Sequence, residues 1–170
     1  QAPAGSEVPA PQKTDDVAAV VAAAEGEVLG VDVDLETPDV LGFAAGDSAW
    51  LIDMTALGPE AEKQVASLLA EHPQIAMHDA KPQIKALADN GLRVRVWTDT
   101  ELAAYLLMPD ARGYELEELA QSRAGIAAAQ PDENAGTLLE NTDDEAAGRR
   151  AYLASRLAPL LREQLDEYSQ

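Results

Sequence analysis

The chain contains no cysteine, which excludes a disulfide framework and any thiolate metal centre and fits a reducing cytoplasm. His72 and His78 are its only histidines, too few for a histidine-rich metal site. Positive charge is scarce as well: 12 Lys and Arg stand against 31 Asp and Glu, a formal charge of −19. Nucleic-acid affinity comes largely from cations that displace counterions from phosphates, so a free-standing nucleic-acid binder is not expected. Trp50, Trp97, Phe43 and four tyrosines are the whole aromatic inventory, which excludes a base-stacking platform. The longest apolar run, residues 17–24, is too short to span a bilayer, so no membrane partner is expected. Gln1 is not followed by a basic stretch and an apolar core; no export signal is expected, and a piece cut from a longer polypeptide is.

What is present is enough for one domain. With 170 residues, 46% of them hydrophobic, the chain can bury a substantial core. Residues 1–14 carry Pro3, Gly5, Pro9 and Pro11 and read as a flexible linker, leaving 15–170 as a single domain. Asp15 and Asp16 can cap a helix through residue 24. Residues 28–33, 40–45 and 49–53 are β-type runs, the last two joined by a Gly46-Asp47-Ser48 turn suited to a hairpin. Pro59 suits a helix start, with Val65, Leu68 and Leu69 as the apolar stripe to residue 71. Residues 74–78 form a fourth strand, and Asp79 can cap a helix that turns Ile84, Leu87 and Ala88 inward and stops at Asn90-Gly91. Residues 92–97 alternate as a fifth strand, and Asp99 caps a helix through residue 107. Residues 115–124 form another helix with Leu116, Leu119 and Ala120 inward, and 125–141 a polar loop. Thr142-Asp143-Asp144-Glu145 matches a capping box that opens a last helix, buried through Leu153, Leu157, Leu160, Leu161 and Leu165 and bent at Pro159.

This order predicts an α/β, ribonuclease H-like fold: a central five-stranded mixed sheet flanked by helices, with residues 28–33 in the middle and Asp32 at that strand's exposed end. Asp32 and Asp34, at i and i+2, share one face of the sheet, as the first carboxylates of a metal-dependent nuclease site do. Five segments carry a resemblance: Asp32-Val33-Asp34, His78-Asp79-Ala80-Lys81, residues 99–107, residues 114–120 and Gly148-Arg149. In order and spacing, from about residue 22 onward, they resemble the 3′-5′ proofreading exonuclease domain of bacterial (family A) DNA polymerase I.

The resemblance implies a site and also its loss. Active members of the family carry an acidic pair matched here by Asp32 and Asp34, although the second is usually glutamate. They then carry an Asn with an Asp four residues on, where this chain has Asp79 and Gln83. They end with a Tyr and an Asp four residues apart on the last helix, where the Gly148-Arg149 register places Arg150 and Ala154. A shift by two gives Tyr152 and Arg156, no better. The resemblance therefore implies a catalytically inactive exonuclease-like domain of the kind found in actinobacteria and some bacilli. It would have no cofactor of its own and at most weak magnesium at Asp32 and Asp34. Its partners would be the polymerase and 5′ nuclease domains of the same chain, with magnesium and DNA engaged by the parent polymerase in replication and repair.

The residues alone admit plainer readings. Asp32 and Asp34 read equally well as solvated residues at a strand end, Asp79 and Asp99 as helix caps, and the two histidines as structural. Tyr105 and Leu106 read as core, and Arg149 and Arg150 as a solvated helix face. Two other function classes stay open: a hydrolase that recruits other carboxylates, such as Asp143 or Asp144, and a stand-alone acidic interaction module.

Overall fold

The computed structural model describes residues 8–126 and 139–168, the side chains of 139–144 and of 168 excepted. The described elements are β1 (Gln12–Lys13), α1 (Val17–Ala24), β2 (Leu29–Val33), β3 (Val40–Ala45), β4 (Ser48–Asp53), α2 (Pro59–Glu71), β5 (Ile75–Met77), α3 (Ala80–Asp89), β6 (Val96–Asp99), α4 (Thr100–Leu107), α5 (Leu116–Ala124) and α6 (Leu139–Tyr168), with a 3-10 turn at Met54–Ala56. None of these helices is long and apolar enough to cross a membrane.

The strands form one mixed sheet in the order β1-β4-β3-β2-β5-β6. β2, β3 and β4 meander antiparallel, whereas β5 runs parallel to β2 and β6 parallel to β5. The β3–β4 hairpin closes through Gly46, whose φ of +58° is open to glycine at little cost. The sheet has six strands where five were expected. The sixth, β1, comes from the end of the segment read as linker: Gln12 and Lys13 pair with Trp50 and Leu51, and Pro11 is buried. Residues 1–7 of that segment lie outside the described residues.

The alternation of β2 separates two layers. Leu29, Val31 and Val33 face one core together with Leu41, Phe43 and Ile52, and α1, α2 and α3 cover it through Val17, Val20, Val65, Leu69 and Leu87. Gly30 and Asp32 face the other way, beside Gly42 and Ala44, and α6 lies across them. A Cβ at Gly30 would overlap the carbonyl oxygen of Ala151, and one at Gly42 that of Ala147. The helix backbone therefore sits directly on the strands. Ala151, Ala154 and Ala158 line its inner side, and α4 and α5 pack against α6 through Ala103, Ala104, Leu116 and Leu119.

Several local expectations are corrected. On α3 the buried stripe is Ala80, Gln83 and Leu87, which leaves Ile84 and Ala88 exposed. The fifth strand, expected over 92–97, is Val96–Asp99: residues 92–95 stay outside the ladder, the Arg95 N–H being spent on the carbonyl of Leu69. Tyr105 and Leu106 are about half exposed rather than core. α6 is already helical at Leu139, so Thr142 lies inside it and does not start it. Residues 127–138 of the predicted loop lie outside the described residues.

Candidate functional site

The two glycines decide where α6 meets the sheet, and that contact builds the site. Asp32 is directly opposite Gly42 in the β2–β3 ladder, beneath the turn of α6 that Ala147 begins. The expected exposed strand end is therefore covered: Asp32 is 4% exposed. Arg150 reaches it from α6, with Nε donating to Asp32 Oδ1 at 3.2 Å. Arg150 is thus the counter-ion of a buried carboxylate and not part of a solvated face. Burial nevertheless pushes the Asp32 carboxyl up to about 7, against the downward pull of the guanidinium; Asp34 and Glu117 add to the rise.

The cleft above Asp32 has a volume of about 220 Å³ and is lined in part by Asp34, His78, Asp79, Gln83 and Arg150. Asp34 turns its carboxylate onto the chain that follows, accepting from the N–H groups of Glu36 and Thr37 at 3.0 and 3.2 Å. Gln83 is buried and committed at both ends of its amide. Its Oε1 accepts from the Val33 N–H at 2.9 Å, while Nε2 donates to the carbonyls of His78 at 2.6 Å and Asp79 at 3.2 Å. The side chain is a tie between the ends of β2 and β5. A carboxylate could not make the two donations.

Asp79 does not cap α3. Its φ of +58° is left-handed, and its side chain makes no capping bond. The cap comes instead from Asp99, whose Oδ1 accepts from the Asp79, Glu101 and Leu102 N–H groups and whose Oδ2 accepts from the Ala80 N–H. One carboxylate at the end of β6 thus serves the starts of both α3 and α4. His78 is held between Thr100 and Tyr114. Its Nε2–H donates to the Tyr114 carbonyl and its Nδ1 accepts from the Thr100 hydroxyl, both at 2.7 Å, and burial pushes its pKa down. His72 is likewise tied, donating to the Ala24 carbonyl and accepting from the Gln74 N–H.

Of the six positions singled out in the sequence, five meet at the cleft: Asp32, Asp34, Asp79, Gln83 and Arg150. Ala154 does not. It is buried against the sheet with Ala76 and Ala158, and Ala146, Ala147 and Arg150 form the α6 wall of the cleft. Among the described residues, no three His, Asp or Glu side chains gather closely enough to hold a metal ion. The pair of divalent ions that an active site of the resembled family would need does not fit this donor set. Asp32 faces a guanidinium, Asp34 is engaged with backbone donors, and Gln83 presents no free oxygen.

Over 139 residues, 80% of its length, the chain is 33% identical to DNA polymerase I of Mycobacterium tuberculosis. The chain is homologous to a segment of mycobacterial DNA polymerase I. It spans 13% of the length of that relative. No protein-family model matches it. Among solved structures, the polymerase domain of Pol1 from M. smegmatis, in complex with DNA primer-template and dNTP, superposes with a TM-score of 0.73 at 27% identity, covering 96% of this chain and 28% of that one. NrnC of Brucella melitensis, with bound Mg2+, gives a TM-score of 0.67 at 17% identity over 94% of this chain and 81% of its own. The fold is accordingly ribonuclease H-like, as expected, with β2 central.

Proposed function

We propose that this chain is a catalytically inactive, 3′-5′ exonuclease-like domain that acts as a structural scaffold within a DNA polymerase I, a cytoplasmic DNA-directed DNA polymerase of replication and repair. The observation that carries this reading is the Asp32–Arg150 pair. Two-metal phosphodiester hydrolysis requires carboxylates that converge on two ions and leave them open to attacking and leaving oxygens. Here the deepest carboxylate is met by a cation of the protein itself, and Gln83 beside it is engaged at both ends. Meanwhile the apolar stripes of α2 and α6 are intact, with Val65, Leu69, Leu153 and Leu157 buried. Packing has been kept where chemistry has not. In this reading the domain takes no cofactor of its own. Magnesium serves the polymerase, DNA is engaged through the longer chain, and the partners are the polymerase and 5′ nuclease domains of that chain.

Two measurements test it. Purified protein with magnesium or manganese should release no mononucleotides from single-stranded DNA above background. In the longer polymerase, replacing residues 15–170 by a flexible linker should lower thermal stability or primer-template retention and leave the error rate unchanged. Mononucleotide release that Asp32→Ala abolishes, or a higher error rate on deletion, would sink the proposal and turn attention to Asp143 and Asp144 as recruited ligands.

A further inference from the structure

Few places on a surface of −19 offer apolar contact, and one helix concentrates them. Of the five large hydrophobic side chains left exposed among the described residues, three are on α4: Leu102 at 57%, Tyr105 at 49% and Leu106 at 53%. Their i, i+3, i+4 spacing makes one stripe. The opposite side of the helix is buried through the small side chains of Ala103 and Ala104. α4 is therefore apolar on both sides, with its larger groups outward. α2 behaves differently, turning Glu60, Glu62, Lys63 and Glu71 to solvent. A helix that is hydrophobic all round is one that is covered all round. The stripe is also held in shape: the Tyr105 ring packs edge-on against Tyr114, centroids 6.0 Å apart, and the Tyr114 hydroxyl donates to the Met108 carbonyl.

We infer that Leu102, Tyr105 and Leu106 are the docking face for another part of the same, longer polypeptide, an apolar surface edged with Lys and Arg. The inference rests on the scaffold reading and names its contact. The occupant follows from size and charge. A chain that spans 13% of its relative leaves most of such a polypeptide outside it. A second copy would bring another −19 to the interface, and nucleic acid would meet Glu101 on the helix itself with the Asp79, Asp99 and Glu115 charges close to it. The same carboxylates complement a basic rim.

Amide hydrogen exchange in α4, compared between the 170-residue chain and the full-length polypeptide, tests the docking. The α4 amides should exchange at least about tenfold more slowly in the full-length polypeptide, and Leu102→Glu with Leu106→Glu should abolish that slowing. The same double substitution should leave the thermal midpoint of the 170-residue chain unchanged, because both side chains are exposed there, and Ile84→Glu on α3 should leave the slowing intact. Equal α4 exchange in the two contexts would overturn the docking face, and the scaffold reading would survive if deleting residues 15–170 still lowered stability. A deletion without effect while the slowing persists would remove the scaffold reading and keep the contact. Concentration-dependent dimers of the 170-residue chain that the double substitution dissolves would overturn the inference in favour of self-association.

Discussion

Replacing Asp32 by asparagine separates the two forces that meet at this carboxylate. Burial disfavours its charge and Arg150 favours it; burial wins, lifting the folded pKa from 3.8 to about 7. A carboxyl whose folded pKa lies above its unfolded value favours the folded state while protonated. That contribution is complete below about pH 4 and is lost as pH rises through about 7. The loss amounts to roughly 1.4 kcal/mol for each pH unit, about 4 kcal/mol across the window as an upper bound. Asparagine has nearly the same shape and no charge at any pH, and the other carboxylates cancel when variant and wild type are compared. Urea unfolding of both proteins between about pH 4 and about pH 8 should show the stability difference moving steadily in favour of Asp32→Asn and levelling off above about 7. The variant also leaves Arg150, about a third exposed, without its partner, a cost that shifts the whole difference by a constant and does not change its slope with pH. A difference that ignores pH, or that moves towards the wild type as pH rises, would mean that the ion pair outweighs burial and that the electrostatic account of the cleft is wrong.

Four further variants address the tie, the close approach and metal binding at the cleft. Gln83→Ala should cost about 2 kcal/mol in urea unfolding, because it strips the Val33 N–H of its acceptor and two carbonyls of a donor; a loss within about 0.5 kcal/mol would mean that water replaces the amide. Gly42→Ala should cost roughly 3 kcal/mol or more, or prevent folding, since its Cβ would meet the Ala147 carbonyl and push α6 off the sheet; circular dichroism and thermal melts report it. Ala154→Asp should destabilise the protein without adding manganese affinity, because position 154 is packed with Ala76 and Ala158. Gln83→Asp with Arg150→Asp, which places carboxylates beside Asp32, should instead bind manganese measurably by titration calorimetry; affinity from the first variant and none from the second would reverse the assignment of the α6 wall.

Local pattern carried much of the architecture. Alternating residues in β2, β3 and β4, the Gly46 turn, Pro59 at the start of α2 and the Asp16 and Asp99 caps are short-range signals, and the elements lie where those signals put them. The sequence by itself also determined the acidic surface, the absence of thiol chemistry and the pair Asp32 and Asp34 on one strand. Tertiary structure decided the rest wherever a residue's role depends on a distant partner. Gln83 reads in the sequence only as the residue at a ligand position; the ends of β2 and β5 supply the groups that bury its amide, and Ile84 then takes the outward position on α3. Leu106 reads as core because periodicity counts apolar positions without saying which side of α4 is already filled by alanines. Gln12 and Lys13 join the sheet only because the Trp50 edge is there to pair with. Arg150 and Asp32 are 118 residues apart in the chain, and nothing local sets their meeting. That meeting depends on Gly30 and Gly42, whose missing side chains let a helix backbone rest on the strands and deliver a guanidinium to a buried carboxylate.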